Sequence, residues 1–336
     1  MFEGERFLVM NNEDLKVIVT GACGFIGSHL TNYLKSRRYY VIAIDKKPAS
    51  ECFLKLKADE IWQLDLRDWN SWELFRHRKI DRIYHLAANM GGIGYITSVG
   101  APIMRDNTLI NINALEFCRK FNVERIFYSS SACVYPIYKQ TEPNVKPLKE
   151  EDAYPADPNE YYGWEKLYME KMMEAYAKDH GLNVRIARLH NVFGPYGTFM
   201  GGREKAPAAI CRKVALAKDE DYIVIWGDGK QTRSFLYIDD CLRGIEMLTN
   251  SDYDKPLNIG SDRLVTIDDL AKIVIKISGK KLTIKHDLSK PQGVRGRNAD
   301  LTLIKRVLGW EPKISLEEGL RRTYRWILSQ VSSDSA

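Results

Sequence analysis

The chain has 336 residues, which is long enough for one large domain or for two unequal lobes that share a core. Hydrophobic residues make up 45% and charged residues 28%, as in an ordinary globular enzyme, and this composition excludes a disordered chain. The formal charge of +6 is dispersed, so it argues against nucleic-acid binding and suits an anionic small molecule.

The first half of the chain alternates short apolar runs with helical patterns, which predicts a parallel sheet with crossover helices. The strands are expected to be buried on both faces, because helices cover both sides of such a sheet. The predicted strands are residues 15–20, 39–45, 61–66, 82–88, 125–130 and 184–193. The predicted helices are residues 24–36, 104–121 and 161–179.

Beyond residue 193 the pattern changes to turns rich in glycine and proline, followed by a smaller set of elements. One predicted helix opens at Thr266 and closes at Gly279, a good pair of start and stop signals. The other predicted elements are helices 206–217 and 315–329 and strands 223–226 and 235–238. The predicted fold class is therefore α/β, a Rossmann-type doubly wound parallel sheet with a smaller C-terminal α/β substrate lobe.

The first predicted strand leads directly into a glycine loop, GACGFIG at 21–27, with a helix behind it. Glycine lets the backbone approach a pyrophosphate, and the helix N-terminus offers free N–H groups. Asp45, at the end of the second strand, favours NAD by binding its ribose hydroxyls, although Lys46 and Lys47 leave NADP open. Asp65, at the end of the third strand, either contacts the adenine or is simply solvated. A turn used only for packing is the alternative interpretation of the glycines.

Tyr162 and Lys166 lie four residues apart, one turn above each other on a predicted helix. Tyrosine ordinarily ionises near pH ~10, and a neighbouring lysine together with a positive nicotinamide ring should lower this pKa. Such a tyrosine can remove a proton from a sugar hydroxyl while a hydride leaves the same carbon for NAD. Ser131 ends a strand and can hydrogen-bond to the reacting oxygen. Tyr161 is a weaker candidate because it lacks a lysine four residues later.

The order of these motifs resembles that of the extended short-chain dehydrogenase/reductases, over roughly residues 15–330. The matching stretches are the glycine loop, HLAA at 85–88, the Ser131, Tyr162 and Lys166 set, and NVFGP at 191–195. The resemblance implies a Rossmann fold, NAD as a recycled cofactor and nucleotide-diphosphate-sugar substrates. The residues expected to contact NAD are Gly21, Gly24, Phe25, Ile26, Gly27, Asp45, Asp65, Leu86, Ala87, Ala88, Tyr162 and Lys166.

The change of pattern after residue 190 also indicates how the chain is divided. Residues 1–189 are expected to form the NAD-binding domain, with segments near 234–260 woven back into its sheet. Residues 190–336 are expected to form the lobe that binds the nucleotide sugar.

Within that family, several longer stretches resemble the GDP-mannose 3,5-epimerases, although Asn89 stands where their pattern has an aspartate. The stretches are MGGIG at 90–94, SSACVYP at 130–136, GGREKAPAA at 201–209, WGDGKQTRSF at 226–235 and GVRGRN at 293–298. The resemblance implies an isomerase that acts on GDP-mannose or a close GDP-sugar. It also implies a homodimer.

Epimerisation requires an acidified C–H bond, and oxidation of the sugar at C4 acidifies the hydrogens at C3 and C5. One group must then act as base and another, across the ring, as acid. A thiol with a pKa near ~8.5 and an amine near ~10.4 suit these roles when their surroundings lower both values. The resemblance implies that Cys133 is the base and Lys205 the acid, assisted by Glu204. The alternatives are that Cys133 is a small buried hydrophobe and that Lys205 is a loop lysine or a phosphate contact.

Cations and amides are expected to hold the GDP end of the substrate. Arg295 and Lys213 are candidates for the diphosphate, and Arg203 and Arg297 either share this task or are solvated. The full predicted substrate set is Gly91, Ser131, Ala132, Cys133, Asn191, Glu204, Lys205, Lys213, Gln231, Arg233 and Arg295.

Other activities remain open at this point. UDP-galactose 4-epimerases share the fold and the tyrosine–lysine pair but need no base at C3 or C5. Sugar 4,6-dehydratases carry an Asp-Glu pair where this chain has Ala132 and Cys133. GDP-fucose synthases use a similar cysteine with a histidine from the second lobe, whereas residues 194–209 contain no histidine and His190 is expected to pack or hydrogen-bond locally. A regulatory protein that senses NAD without turnover is the non-enzyme alternative.

Six cysteines are scattered without a Cys-x-x-Cys pair, which predicts neither a metal site nor a disulfide framework and indicates a reducing compartment. Residues 1–14 contain no apolar stretch that could serve as a signal peptide, and no run of about 18 apolar residues predicts a membrane span. The expectation is a cytoplasmic protein.

Overall fold

The computed structural model describes residues 15–333, so the N-terminal segment in which no signal peptide was expected lies outside the described residues. The strands are β1 (Lys16–Thr20), β2 (Tyr40–Asp45), β3 (Glu60–Gln63), β4 (Arg82–His85), β5 (Arg125–Ser131), β6 (Val184–Leu189), β7 (Val192–Phe193), β8 (Tyr222–Trp226), β9 (Thr232–Ser234), β10 (Leu236–Tyr237), β11 (Leu257–Ile259), β12 (Leu264–Thr266), β13 (Thr283–Asp287) and β14 (Gly296–Arg297). The helices are α1 (Phe25–Ser36), α2 (Trp69–Glu73), α3 (Ile93–Ile96), α4 (Gly100–Phe121), α5 (Tyr161–His180), α6 (Ala206–Leu216), α7 (Ile238–Asn250), α8 (Ile267–Ser278), α9 (Thr302–Leu308) and α10 (Leu316–Ser333).

A seven-stranded sheet lies at the centre, with its strands in the order β11-β6-β5-β4-β1-β2-β3. Every neighbouring pair in it runs parallel. The predicted doubly wound sheet is therefore confirmed, and β11 lies within the segment that was expected to return to it. Because the strands are parallel, the loops that follow β1, β4 and β5 meet at one edge, where such folds bind their ligands.

The outermost strand differs from the prediction of uniformly buried runs. The side chains of β3 alternate between partly buried and exposed, and Ile61 is 48% exposed. β3 lies at one edge of the sheet and pairs only with β2, which leaves its other flank open, whereas the opposite edge strand β11 is buried throughout. The prediction was wrong for this strand and right for β1, β4 and β6, whose residues are buried apart from Lys16.

The single predicted strand 184–193 is divided into β6 and β7. Asn191 interrupts it with a φ of 38°, in the left-handed region that few residues other than glycine adopt. The chain therefore leaves the main sheet, and β7 pairs with β10 instead. This break turns Asn191 toward the second lobe, where its side chain donates to the Ser234 carbonyl at 3.0 Å.

The second lobe contains three small sheets and helices α6, α8 and α10, which pack on one another. The predicted helix signals are confirmed for α8. The Thr266 hydroxyl accepts the N–H of Asp269 at 2.9 Å, and Gly279 ends the helix with a φ of +72°. β14 lies parallel to β9, which places Arg297 beside Arg233.

One expectation about the cysteines was wrong. Cys23 and Cys52 form a disulfide, with their Cα atoms 5.0 Å apart. The two residues lie in the loops after β1 and β2, which adjacent parallel strands bring together. Their spacing of 29 residues carries no local signal, so only the sheet reveals the pair.

Between residues 15 and 333, no helix has the length and apolar character needed to cross a membrane. Over the same range, no group of three or more histidine, cysteine or acidic side chains could hold a metal ion.

Candidate active site

Two cavities of about 400 and about 500 Å³ lie side by side at the carboxyl edge of the sheet. The glycine loop and the ends of β2 and β4 line the first cavity, and residues of the second lobe line most of the other. Ser131, Tyr162 and Lys205 line both cavities. The two spaces therefore meet at three of the residues that the sequence predicted to carry the chemistry.

The glycine loop forms a close backbone cradle under the first cavity. A Cβ atom on Gly27 would lie 2.0 Å from the carbonyl oxygen of Gly21, and one on Gly21 would lie 2.9 Å from the Cα of Ala87. Only glycine fits such approaches, and Gly21 also has a φ of +67°. Helix α1 begins directly behind the loop, and its N-cap Gly24 has no side chain to satisfy the first N–H groups. The cradle therefore fits a pyrophosphate.

Two carboxylates were expected at the far end of this cavity. Asp45 accepts the backbone N–H groups of Cys23 and Lys47 at 2.8 and 2.9 Å, and a carboxylate keeps further lone pairs for ribose hydroxyls. Asp65 is paired with Arg67, whose Nε lies 3.0 Å from it, and this guanidinium lowers the pKa of Asp65. The sequence did not identify Arg67, which lines the same wall.

The residues predicted to contact NAD all line the first cavity: Gly21, Gly24, Phe25, Ile26, Gly27, Asp45, Asp65, Leu86, Ala87, Ala88, Tyr162 and Lys166. The predicted substrate residues that line the second cavity are Gly91, Ser131, Ala132, Cys133, Asn191, Glu204, Lys205, Lys213, Gln231 and Arg233. These side chains come from both halves of the chain.

Arg295 is the one predicted substrate residue that is placed outside both cavities. Its guanidinium pairs with the Asp228 carboxylate at 3.0 and 3.1 Å, and it lines neither cavity. The Asp228 carboxylate is partly exposed to solvent. Its ion pair with Arg295 therefore holds that guanidinium outside the two cavities. Arg297, whose role the sequence left open, is buried and lines the second cavity instead.

Cys133 lies in a single 3₁₀ turn that follows β5. The Ser131 hydroxyl begins this turn by accepting the N–H of Cys133 at 3.1 Å. Helix α5 passes close by because Gly163 has no side chain, and a Cβ there would lie 2.3 Å from the Cys133 carbonyl oxygen. This contact brings Cys133 and Tyr162 to the same corner of the site. The sequence interpretation did not assign a role to Gly163.

The charges around Cys133 favour its ionised form. Burial alone raises the pKa of the thiol, but the Arg297 charge, the Ser131 hydroxyl and the Lys205 charge outweigh it, so the pKa lies below its usual value. Arg297 Nη1 lies 3.4 Å from the sulfur. Burial also lowers the pKa of Lys205, with Cys133 acting against that shift. Both side chains are therefore tuned toward proton exchange.

Glu204 precedes Lys205 and also faces the second cavity. One of its carboxylate oxygens accepts from Arg212 Nη2 at 3.1 Å. The other oxygen is buried and has no hydrogen-bond partner among the described groups. A buried carboxylate oxygen without a partner is costly, so this atom suits a hydroxyl group of a bound sugar.

Residues 17–260 match the family model described as the NAD dependent epimerase/dehydratase family. The chain belongs to this family. Its NAD dependence agrees with the glycine cradle of the first cavity, and the chain is accordingly an NAD-dependent enzyme.

Two relatives in this family are similar to the chain over nearly its whole length. A GDP-mannose 3,5-epimerase 1 from Oryza sativa subsp. indica is 46% identical over 332 residues, which cover 99% of this chain and 86% of the relative. A GDP-mannose 3,5-epimerase from Arabidopsis thaliana is 46% identical over 334 residues, which cover 99% and 88%. The solved UDP-glucose 4-epimerase of Thermotoga maritima, with UDP-glucose, is 27% identical with a TM-score of 0.84, covering 94% of this chain and 100% of that chain.

One expectation about the family's tyrosine–lysine pair needs correction. Lys166 and a positive nicotinamide ring were together expected to lower the pKa of Tyr162. Within the protein itself burial raises that pKa, Cys133 and Glu165 raise it further, and only the hydrogen bond with Ser131 opposes them. Lys166 Nζ donates to the carbonyl of Ser129 at 2.9 Å and lies 5.7 Å from the Tyr162 ring centre. When bound, NAD accepts a hydride from the sugar, and its positive ring favours the phenolate.

A buried polar network beneath Tyr162 was not predicted. The Glu165 carboxylate accepts from the amides of Asn107 and Asn111 at 3.0 and 2.8 Å, and the Asn111 oxygen lies 3.0 Å from His85 Nε2. The network joins α4 to α5 and so sets the position of the helix that carries Tyr162. The sequence signal that could have revealed this network is a pair of asparagines, four residues apart on the buried face of α4.

Two fully buried histidines should make the stability of the fold depend on pH. Burial lowers the pKa of both His85 and His190 to about 3, against an ordinary value near ~6.5. The unfolded chain therefore binds more protons between these values, so stability is complete above pH ~6.5 and falls as the pH drops toward 3. We expect the free energy of unfolding to fall by about 4 kcal/mol between pH 7.5 and pH 5, as measured in urea.

A surface histidine provides the control for this prediction. Replacement of the exposed His77 by glutamine should leave the pH dependence unchanged. Equal stability at pH 7.5 and pH 5 would show that the two buried imidazoles do not set the slope.

Proposed function

We propose that this enzyme is a GDP-mannose 3,5-epimerase. It oxidises the sugar of GDP-mannose at C4, inverts C5 and C3, and reduces C4 again, which gives GDP-L-galactose, or GDP-L-gulose when only C5 inverts. The observation that carries the proposal is the presence of Cys133 and Lys205 in one cavity, at its border with the cofactor cavity. The names of the 46%-identical relatives support it.

Tyr162 and Ser131 handle the C4 hydroxyl. Both side chains line the two cavities at their junction, so a hydroxyl placed there lies between the cofactor and the sugar. Tyr162 removes the hydroxyl proton during oxidation and returns it during reduction, while Ser131 orients the oxygen. Lys166 lies one helical turn after Tyr162, and its Nζ is 5.7 Å from the centre of the Tyr162 ring.

Cys133 and Lys205 act once C4 is a ketone. A thiolate removes the proton from the carbon beside the ketone, and an ammonium group delivers a proton to the opposite face. The pKa values of both groups are lowered, that of Cys133 by the Arg297 charge acting against burial and that of Lys205 by burial, and both shifts favour proton exchange. Glu204 holds a sugar hydroxyl with its unpaired oxygen.

The nucleotide and diphosphate lie against the second lobe. Lys213 and Arg233 supply positive charge, and Asn191 orients the sugar or the diphosphate. The side-chain oxygen of Gln231 is buried without a partner among the described groups, so it suits a hydrogen-bond donor of the ligand.

Each competing reaction conflicts with a feature of the second cavity. A 4-epimerase needs no base at C3 or C5, so the charge cluster around Cys133 would have no use. A GDP-fucose synthase would need its histidine, and none is present among the described residues that line this cavity. A protein that only senses NAD would have no need of the complete Ser131, Tyr162 and Lys166 set.

An exchange experiment in heavy water tests the proposal directly. The purified enzyme is incubated with GDP-mannose in heavy water, and the ring protons of the sugar are followed by NMR. Deuterium should enter at C3 and C5, because each carbon loses its proton to the enzyme and regains one from a solvent-exchanged group. Loss of neither proton signal would rule out 3,5-epimerisation and point to a different sugar or to C4 chemistry.

We further propose the division of the chain expected from its sequence, with residues 1–189 for NAD and 190–336 for the nucleotide sugar. In support, the strands β1 to β6 belong to the first segment, and most of the second cavity is lined by the second. The cytoplasmic location remains a prediction.

The homodimer is proposed to form through α4 and α5. The two helices pack on each other, and α5 presents a stripe of exposed aromatic side chains at helical spacing: Tyr161, Trp164 and Tyr168 are 62, 42 and 49% exposed. Met104 and Leu109 add exposed apolar surface on α4. A second copy of the same face would bury these side chains in a four-helix bundle, as symmetric dimers commonly do.

Replacement of Trp164 by glutamate should convert the dimer into a monomer, because a carboxylate would be buried at the centre of the bundle. Sedimentation velocity or light scattering at micromolar concentration gives the mass. Leu288→Glu, at an apolar residue that is 70% exposed in the second lobe, is the matched control and should leave the mass unchanged. A Trp164→Glu protein with the wild-type mass would place the interface elsewhere.

A further inference from the structure

Gln140 lies directly behind the catalytic corner but is completely buried and lines neither cavity. Residues 132–136, which follow β5 and include Cys133, are called the Cys133 loop. Gln140 comes after this loop and after a short 3₁₀ turn, Ile137–Lys139. Its backbone carbonyl accepts the N–H groups of Arg295 and Gly296 at 2.9 and 3.3 Å. Gln140 therefore joins the Cys133 loop to the segment that carries Arg297.

The orientation of the Gln140 amide is determined by its partners. Its nitrogen donates to two carbonyl oxygens of the Cys133 loop, those of Tyr135 at 3.0 Å and Pro136 at 3.1 Å. A carbonyl accepts and cannot donate, so the NH₂ group must face these two oxygens. The amide oxygen is left to accept, and it faces Arg297 Nε at 2.5 Å.

Arg297 is held between this amide and the thiol. Its side chain is buried, its Nε donates to Gln140 and its Nη1 lies 3.4 Å from the sulfur of Cys133. A guanidinium is planar, so fixing Nε sets the direction in which its NH₂ groups point. Neither of these contacts involves a carboxylate that would cancel the positive charge. The structure therefore presents an unneutralised cation to the sulfur.

We propose that Gln140 is a positioning residue, which locks the guanidinium of Arg297 against the sulfur of Cys133 and so favours the thiolate form of Cys133. This inference rests on the proposed function, in which Cys133 is the base. Gln140 cannot touch the substrate itself, so its effect on the reaction passes through Arg297.

Other charged groups also act on Cys133, and they set how much of its acidity depends on Arg297. Lys205 favours the thiolate from the second lobe, and Lys166 from α5 and Arg233 from β9 are close enough to interact with it. Tyr162 also faces the thiol, and its pKa is raised by burial and by the Cys133 charge. Arg297 makes the largest contribution that opposes burial, so its displacement should move the titration of Cys133 most.

The test measures this titration in the purified holoenzyme, without any sugar. Cys133 is alkylated with iodoacetamide at a series of pH values, and the modified peptide is quantified by mass spectrometry. In Gln140→Leu the midpoint of the alkylation rate should rise by about one pH unit, so alkylation at pH values below both midpoints should slow about tenfold. Arg297→Met should raise the midpoint at least as far. Gln140→Met, which keeps the length of the side chain, replaces Gln140→Leu should that variant not fold.

Tyr135→Phe is the matched control in the same loop. It removes a buried hydrogen bond to Asn258, of 2.6 Å, but keeps the backbone carbonyl that Gln140 uses. This variant should retain the wild-type midpoint. The proposal is overturned if the Gln140 variants titrate like wild type while Arg297→Met shifts, or if Tyr135→Phe shifts as much as they do.

The turnover of GDP-mannose separates this inference from the proposed function. With GDP-mannose, the Gln140 variants should lose kcat at pH 7 with little change in KM, and they should regain part of kcat at higher pH. A shifted thiol titration in an enzyme that exchanges neither C3 nor C5 would leave the positioning role intact and refute the 3,5-epimerase assignment instead.

Discussion

Replacement of Cys133 by alanine is expected to lower kcat for GDP-mannose epimerisation by about 10³-fold, the usual contribution of a positioned acid–base group. Deuterium from heavy water should no longer enter at the carbon from which Cys133 removes the proton. NAD binding and the oxidation of C4 should persist, because Tyr162, Ser131 and the glycine cradle are unchanged. Proton NMR of the sugar and the absorbance of reduced nicotinamide measure the two steps separately.

A second buried cysteine provides the control. Cys118 lies within the core on α4 and lines neither cavity, so Cys118→Ala should keep its kcat even where it costs stability. Cys133→Ala would contradict the proposed mechanism if it retained more than about a tenth of the wild-type rate of proton exchange at both C3 and C5.

Replacement of Glu170 by alanine is expected to lower the free energy of unfolding by about 3–5 kcal/mol, because it leaves a buried arginine without its partner. Glu170 and Arg188 are 1 and 3% exposed, and their two hydrogen bonds are 3.0 and 2.7 Å long. The Ser130 hydroxyl also donates to Glu170, at 2.5 Å, so the pair supports the strand end that leads to Cys133. Urea unfolding curves at pH 7.5 measure the loss.

Two further variants show whether the unpaired charge is the cause. The double replacement Glu170→Met and Arg188→Met should recover most of the lost stability, since apolar groups of similar volume can replace a buried ion pair. Glu318→Gln, in the exposed pair between Glu318 and Arg321, should change stability by less than about 1 kcal/mol. A loss for Glu170→Ala no larger than that of the surface control would show that the buried pair is not needed.

The positions of the main elements could be predicted from local patterns. The helix signals at Thr266 and Gly279 are both confirmed, because a cap depends on hydrogen bonds to residues three or four positions away. The glycine loop predicted its cradle for a similar reason, since Gly24 and Gly27 lie one turn apart around the start of α1. The division of strand 184–193 escaped prediction, because no glycine or proline in this segment marks the turn at Asn191.

The candidate site was predicted as a set of residues but not as an arrangement. Arg295 and Arg297 are two residues apart and chemically identical. The sequence analysis named Arg295 as the candidate for the diphosphate, but in the structure Arg295 pairs with Asp228. The choice depends on which partner each guanidinium meets. Asp228 is 67 residues from Arg295, and Gln140 is 157 residues from Arg297.

The sequence by itself determined the fold class and the family, because these follow from short motifs whose residues are neighbours in the chain. Only the tertiary structure decided which arginine reaches the thiol, that Cys23 meets Cys52, and that burial raises the pKa of Tyr162. The physical reason is the same in each case. Burial and charge at a side chain depend on every group nearby in space, and distant parts of the chain supply most of those groups.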